Sequence, residues 1–278
     1  MEFQTLNNGN KIPVLGYGTF EIADGKATDC VLQAMECGYR HIDTAQIYGN
    51  EGGVGKAIES CKIPREELFI TSKVWVKNYG YDKTLKSIDI SLEKLKTDYI
   101  DLMLLHRPYF DYIGGWKALE KALADGKVRT IGLSNFTIKQ TTEILDIAKI
   151  KPAVNQIELH PYFGQKPLKE FCTQNGIAVE AWYPLGHGNK KLLKEKLFNE
   201  LAQKYSKTPS QIILRWHVQS GNIVFPKTCS IGHMKENMEI FSFSLSEEEM
   251  SKINALDKNK ALFNVPDWWQ KFTIKSSK

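Results

Sequence analysis

An eight-stranded β/α barrel is the fold this sequence predicts, and three observations predict it. Apolar runs bounded by turn signals alternate with helical patterns, in the order β, α, from residue 38 onward. Strand starts recur at about 25 to 30 residues for the first six, too regular a spacing for a chain that changes domain halfway. The 278 residues leave room for eight such units and no linker divides them, so 1–278 reads as one domain.

The strand candidates are 38–43, 68–74, 98–105, 128–134, 153–158, 177–183, 222–226 and 238–241. Helical patterns lie at 26–37, 50–60, 83–96, 113–125, 137–148, 166–174, 190–219 and 246–255; in the third, Leu85, Ile88, Leu92 and Leu95 share one face. Ahead of the first unit, FQTL and KIPVLGYG flank Asn7, Asn8, Gly9 and Asn10, a hairpin pattern placed to cap the N-terminal mouth of the barrel. After Asp257 periodicity stops, and 258–278 reads as an irregular tail that keeps Phe263, Trp268, Trp269 and Phe272. Four exposed large aromatics would be unusual. The tail therefore seals the barrel's flank or folds over its mouth.

Lysine and arginine number 37 against 32 aspartate and glutamate, a formal charge of +5, with 42% hydrophobic and 25% charged residues. These ordinary values exclude disordered, collagen and coiled-coil readings, and folding at this length buries roughly 75% of the unfolded surface. No run of five Lys/Arg suggests nucleic acid or a membrane surface as partner, while a small anionic ligand fits the balance. The five cysteines (Cys30, Cys37, Cys61, Cys172, Cys229) are odd in number and form no C-x-x-C pair, which points to reduced thiols and a cytoplasmic protein. No signal peptide or membrane span is read, and a monomer is expected.

Two motifs fail on inspection. Gly16 and Gly18 begin like a dinucleotide fingerprint, but Glu21 stands where the third glycine belongs. Gly55-Lys56 imitates a P-loop, yet Asn50 replaces its first glycine and Ala57 its magnesium-binding hydroxyl. The six histidines show no metal-ligand spacing, so no metal is expected.

In such a barrel chemistry sits at the carboxyl ends of the strands. Asp43 closes GYRHID, Lys73 closes LFITSK and His106 ends the run DYIDLMLL, while Tyr48 in the loop TAQIYGNE reaches the same mouth. Each alone has an ordinary explanation: a helix cap, a rim charge, a satisfied loop histidine, an aromatic filler. On adjacent strands they surround one point. A lysine beside a tyrosine lowers a phenol pKa of about 10, and a carboxylate keeps that ammonium charged and oriented. The tyrosine is then a general acid near neutral pH, His106 donates to a carbonyl oxygen, and a hydride fits as the missing nucleophile.

With these residues in place, the sequence resembles the aldo-keto reductase family along nearly its whole length. GYGTF (16–20), DTAQIYGNE (43–51), SKVW (72–75), DLMLLHRP (101–108), IGLSNF (131–136), NQIELHPY (155–162), AWYPLG (181–186) and FPKT (225–228) carry the resemblance. It implies that Asp43, Tyr48, Lys73 and His106 are catalytic, with Tyr48 the proton donor. It also implies that Ser134, Asn135 and Gln156 hold a nicotinamide carboxamide, that Trp182 stacks on its ring, and that Gly18, Thr19, Asp43, Tyr183 and Leu185 adjoin the cofactor. Ser134-Asn135 also reads as a helix N-cap, whereas Gln156, an amide inside an apolar run, needs partners.

FPKTCSIGHMKEN reads as a loop opening a short helix capped by Ser230, where barrels of this kind hold phosphate. Lys227 and Thr228 suit an adenosine 2′-phosphate, and Glu236 and Asn237 stand where the family contacts adenine. His233 replaces the family's arginine, losing a bidentate contact. The resemblance therefore implies NADPH, with NADH the weaker cofactor. Phe20, Trp75, Tyr109 and Phe110, with Trp268 and Trp269 from the tail, are expected to line the pocket of a small carbonyl substrate. Two other readings stand beside this one: a Schiff-base lyase using Lys73 as nucleophile, and a silent nucleotide-binding relative.

Overall fold

Ten strands and eleven α-helices are placed by the computed structural model, which describes residues 1–263. The chain runs β1 (Phe3–Thr5), β2 (Lys11–Pro13), β3 (Tyr17–Gly18), α1 (Asp24–Glu36), β4 (His41–Asp43), α2 (Glu51–Ser60), β5 (Phe69–Val74), α3 (Tyr81–Leu95), β6 (Leu102–Leu105) and α4 (Tyr112–Ala124). It continues with β7 (Ile131–Ser134), α5 (Ile138–Ile147), β8 (Val154–Glu158), α6 (Lys166–Gln174), β9 (Ala178–Trp182), α7 (Lys190–Leu193), α8 (Lys196–Tyr205), α9 (Pro209–Gln219), β10 (Asn222–Val224), α10 (Ile231–Met238) and α11 (Glu247–Asn254). Strands β3 to β10 pair in sequence order, all parallel. A parallel bridge from Leu15 to Val224 closes the ring, with Gly16 N donating to the Val224 carbonyl at 2.7 Å. The expected (β/α)8 barrel is what the sequence forms.

Parallel strands covered by helices are apolar on both faces. Outward residues such as Ile42, Ile70, Met103, Leu105, Leu133 and Ile157 join the large core beneath the helices. Inward Phe69, Leu102, Leu104, Val154, Ala178 and Ile223 form a second cluster with Leu6 and Ile12. Those last two belong to the β1–β2 hairpin, which plugs the N-terminal end as expected. Its turn is tied down by Asn7 Nδ2 donating to the Pro152 carbonyl at 2.8 Å and Asn10 Nδ2 to Thr130 Oγ1 at 2.9 Å.

The strand expected at 238–241 is corrected. That segment ends α10 and enters a 3₁₀ turn, Glu239–Ser242; a run as short as the four residues MEIF cannot separate a strand from a buried helical turn by periodicity. The strand that completes the eight is instead Tyr17–Gly18, the first of the barrel in chain order, which falls within the hairpin pattern KIPVLGYG. The helix expected at 190–219 divides into α7, α8 and α9. Ser206, at φ 53°, ends α8, and a Thr208–Gln211 capping box with Pro209 in the first turn starts α9. Among the described residues no helix is long and apolar enough to cross a membrane, and no cluster of three or more His, Cys, Asp or Glu is placed to hold a metal ion.

Candidate active site

Side chains alternate along a strand, so the last inward residue of each barrel strand reaches the C-terminal mouth. On β4 these inward residues are His41 and Asp43, on β5 Phe69, Thr71 and Lys73, and on β6 Leu102 and Leu104 with His106 just beyond. Tyr48 comes from a 3₁₀ turn, Gln46–Tyr48, that Gly49 ends at φ 69°. Gln46 fixes this turn. Its Nε2 donates to the Ser87 carbonyl and Ser91 Oγ, both at 3.1 Å, and its Oε1 accepts from Trp75 N at 2.9 Å and Asn78 Nδ2 at 2.8 Å. Tyr48 and Trp75 thus share one frame.

The four polar side chains named from the sequence meet. Lys73 is wholly buried, and its Nζ donates to Asp43 Oδ1 at 2.7 Å, to the Thr44 carbonyl at 2.8 Å and to Tyr48 Oη at 3.3 Å. The His106 ring stands edge-on to Tyr48, with centroids 5.9 Å apart, and to Trp75 at 5.2 Å.

Burial pulls the Lys73 pKa down, but Asp43 and Tyr48 outweigh it, and the ammonium titrates above the ordinary lysine value. Burial also lifts the Asp43 carboxyl, against the pull of Lys73 and Gln156. His106 falls well below 6.5, first through burial and then through the charges of Lys73 and Arg107, so it is a neutral imidazole. Its Nδ1 is buried without a hydrogen-bond partner among the described residues. A buried lone pair is cheaper to leave unmet than a buried N–H, so the hydrogen belongs on Nε2.

Tyr48 corrects the sequence reading. Its pKa lies above 10.0, because burial and then the Asp43 carboxylate outweigh the pull of Lys73. The phenol is a fully protonated donor at neutral pH. The expected direction came from counting the neighbouring charge without the desolvation.

Across the barrel, Gln156 Nε2 donates to Asp43 Oδ2 and to Glu180 Oε2, each at 2.8 Å. Both carboxyl groups face one amide nitrogen, which leaves Gln156 Oε1 turned the other way. Asn135, in the left-handed conformation at φ 64°, ties three neighbours together. Its Nδ2 donates to the His106 carbonyl at 3.1 Å and to Ser134 Oγ at 2.9 Å, and its Oδ1 accepts from Trp182 Nε1 at 2.9 Å. The N-cap of α5 is Thr137, in a capping box with Gln140, so the capping role read for Ser134-Asn135 is corrected.

These groups open into a cavity of about 590 Å³ lined by Gly18, Phe20, Asp43, Tyr48, Trp75, His106, Ser134, Asn135, Gln156, Trp182, Tyr183, Leu185 and Lys227, all named from the sequence. Other expected residues lie elsewhere. Thr19 is buried behind the wall, its Oγ1 donating to the Asp43 carbonyl at 3.0 Å. Thr228 Oγ1 accepts from Ser230 N at 3.1 Å, and Ser230 caps α10 by accepting from His233 N. His233 is exposed on the first turn of α10, Glu236 is half-buried, and Asn237 is buried against Tyr39. Tyr109 and Phe110, on the loop after β6, are not among the described residues that line the cavity, although Tyr109 hydrogen-bonds Arg107 on its wall, and Trp268 and Trp269 lie outside the described residues.

Sequence reading missed Glu21, Ile47, Arg107, Pro184, His187, Gly188 and Leu193 on the wall. Arg107 could have been found, since it follows His106 directly. The tail contributes Phe263, whose ring is 5.6 Å from Trp182 and 6.0 Å from Tyr183. Its backbone N–H and that of Leu262 both donate to Glu158 Oε1, at 3.0 and 2.6 Å.

Comparison with known proteins places this geometry. The sequence model of the aldo/keto reductase family matches residues 14–258. The chain is 46% identical over 266 residues to a 9,11-endoperoxide prostaglandin H2 reductase of Trypanosoma cruzi, covering 95% of this chain and 94% of that protein. It is 47% identical over 264 residues to a glyoxal reductase of Bacillus subtilis, covering 94% and 95%. The crystal structure of a Bombyx mori aldo-keto reductase in complex with NADP superposes with a TM-score of 0.91 at 34% identity, over 96% of each chain.

Proposed function

Because the chain belongs to the aldo/keto reductase family, we propose that it reduces aldehydes and some ketones to alcohols with NADPH, Tyr48 giving the proton. The observation that carries this reading is the wholly buried Lys73 ammonium bridging Asp43 and the Tyr48 hydroxyl beside the cavity.

The residues present suit a nicotinamide dinucleotide. A Cβ on Gly18 would stand 2.6 Å from the Phe225 carbonyl oxygen, so the wall there is bare backbone. Trp182 offers a flat ring fixed through Asn135, and the Gln156 Oε1 is available to a carboxamide N–H. Lys227 and the N-terminus of α10 supply charge and N–H donors for phosphate. When bound, a reduced nicotinamide supplies a hydride to the carbonyl carbon.

The protein's own residues do the rest. Nε2–H of His106 donates to the carbonyl oxygen and sets its direction. As negative charge grows on that oxygen, the Tyr48 proton moves to it, completing the alcohol and leaving a phenolate beside Lys73. Asp43 keeps Lys73 charged, which is why the same lysine is no Schiff-base nucleophile. Lys227 supports NADPH over NADH, and His233 in place of a guanidinium narrows the margin.

The test is loss of NADPH absorbance with purified protein and glyoxal, methylglyoxal or benzaldehyde. NADPH left unconsumed with every simple carbonyl, at protein concentrations that bind it, overturns the reading.

A further inference from the structure

Arg107 has no part in the reaction just described, yet it is the residue next to His106 and lines the same cavity. Among the described lining residues, lysine and arginine charge comes from Lys227 and Arg107 alone. Lys227 lies at the end suited to phosphate. Arg107 is therefore the fixed cation at the substrate end.

Its surroundings make that charge felt. The residue is 9% exposed, and its guanidinium Cζ lies 5.3 Å from the centre of the Phe263 ring. Phe20, Trp75, Trp182 and Tyr183 complete a largely aromatic wall. In such a medium the attraction between unlike charges is several times its strength in water. The charge is felt at both neighbours: it adds to the lowering of the His106 pKa and pulls weakly against the burial that raises that of Tyr48. Burial lowers the guanidinium's own pKa, while the Tyr109 hydroxyl and the carboxylate of Glu158 push it back up. A guanidinium carries five N–H donors in a planar fork, so a bond to Tyr109 is compatible with a second, bidentate partner.

We propose that Arg107 selects substrates, and that the preferred carbonyl compounds carry a carboxylate within a few bonds of the carbonyl carbon, as oxo acids and carboxy-aldehydes do. This inference rests on the reductase reading above. His106 and Tyr48 take the carbonyl oxygen; the neighbouring guanidinium takes the carboxylate, and the aromatic wall takes the carbon skeleton between them. Neutral aldehydes still reach Tyr48, but without the second anchor.

The experiment compares para-carboxybenzaldehyde with its methyl ester, two aldehydes that differ mainly in charge, using the full-length wild type and the variants Arg107→Met and Arg107→Lys. In the wild type, kcat/KM for the acid exceeds that for the ester at least tenfold, mainly through a lower KM. In Arg107→Met the acid-to-ester ratio falls by about 10- to 100-fold, the range of one charge-assisted contact. In Arg107→Lys a point charge without the fork gives an intermediate ratio. NADPH affinity, followed by tryptophan fluorescence, reports that each variant is folded. A wild type that treats acid and ester alike, or a ratio unchanged in Arg107→Met, overturns the inference while leaving the reductase reading standing. Should the wild type reduce neither aldehyde nor any neutral carbonyl, it is the reductase reading that fails, and the inference falls with it.

Discussion

Tyr48→Phe separates chemistry from structure more cleanly than any other change in this site. The substitution removes one oxygen. Among the described residues that oxygen accepts one long contact, from Lys73 Nζ at 3.3 Å, while the lysine keeps Asp43 at 2.7 Å and the Thr44 carbonyl at 2.8 Å. Losing a weak hydrogen bond among stronger ones costs about 1 kcal/mol or less, a few degrees of melting temperature in a protein of this size. The ring stays, and so do its contacts with Phe20, centroids 5.0 Å apart, and with His106 at 5.9 Å. The catalytic effect is of another order. Loss of a general acid typically costs about 10² to 10⁴ in rate, or about 3 to 5.5 kcal/mol of barrier. Three measurements on one preparation decide it: melting temperature, NADPH affinity from fluorescence, and kcat/KM for a neutral aldehyde from NADPH absorbance. Near-native values for the first two with a loss of at least a hundredfold in the third are expected. A turnover within threefold of wild type would mean that another group delivers the proton, and the role assigned to Lys73 would go with it.

Other changes test other parts of the site. Lys227→Ala should weaken NADPH by about 10-fold or more while changing NADH little, since a charge-assisted contact to the 2′-phosphate is worth about 1.5 to 3 kcal/mol; equal losses for both cofactors would place the phosphate elsewhere, and His233→Arg should move selectivity the opposite way. Gly18→Ala puts a methyl group 2.6 Å from the Phe225 carbonyl oxygen, so the backbone must shift, costing about 1 to 3 kcal/mol; an unchanged melting temperature and cofactor affinity would show that the wall tolerates the group. Glu180 is raised from 4.5 to about 8, chiefly by burial. The unfolded chain releases that proton near 4.5 and the folded chain keeps it until about 8, so stability falls as pH rises through this window, by on the order of 5 kcal/mol in all. Glu180→Gln removes the titration, so its melting temperature should gain on the wild type as pH rises from 4.5 to 8; a difference that does not vary with pH would refute the assignment.

The legible parts of this protein are those where alternation fixes direction. Asp43, Lys73 and His106 end or follow apolar runs at the parity that points inward, and the structure places all three around Tyr48. The first barrel strand was hidden because Tyr17–Gly18 is only 2 residues long and abuts the hairpin. Glu180 sits two positions before Trp182 on β9, at the same parity, and pairs in register with Gln156. An acid inside the run AVEAW facing an amide on the next strand was a readable signal that went unused. The pKa of Tyr48 was misjudged for a different reason: the sequence names the neighbouring charge but not the depth of burial, and here burial sets the sign.

In the proposed reaction, one lysine accounts for the division of labour between the two groups that could supply a proton. Its ammonium lies against Tyr48, with Nζ 4.8 Å from the ring centre, and acts on His106 across the same cavity. A fixed positive charge makes a second cation costly and an anion cheap. At His106 it opposes the protonated form, in addition to burial and with Arg107 acting the same way, so the imidazole is neutral and offers one N–H. At Tyr48 it favours the phenolate, the species left once a proton has gone to the substrate oxygen. Burial alone would disfavour both charged forms equally in kind. The lysine breaks that symmetry, which is what the proposed roles require, the tyrosine as proton donor and the histidine as aiming group, and Asp43 on its far side is what keeps the lysine charged.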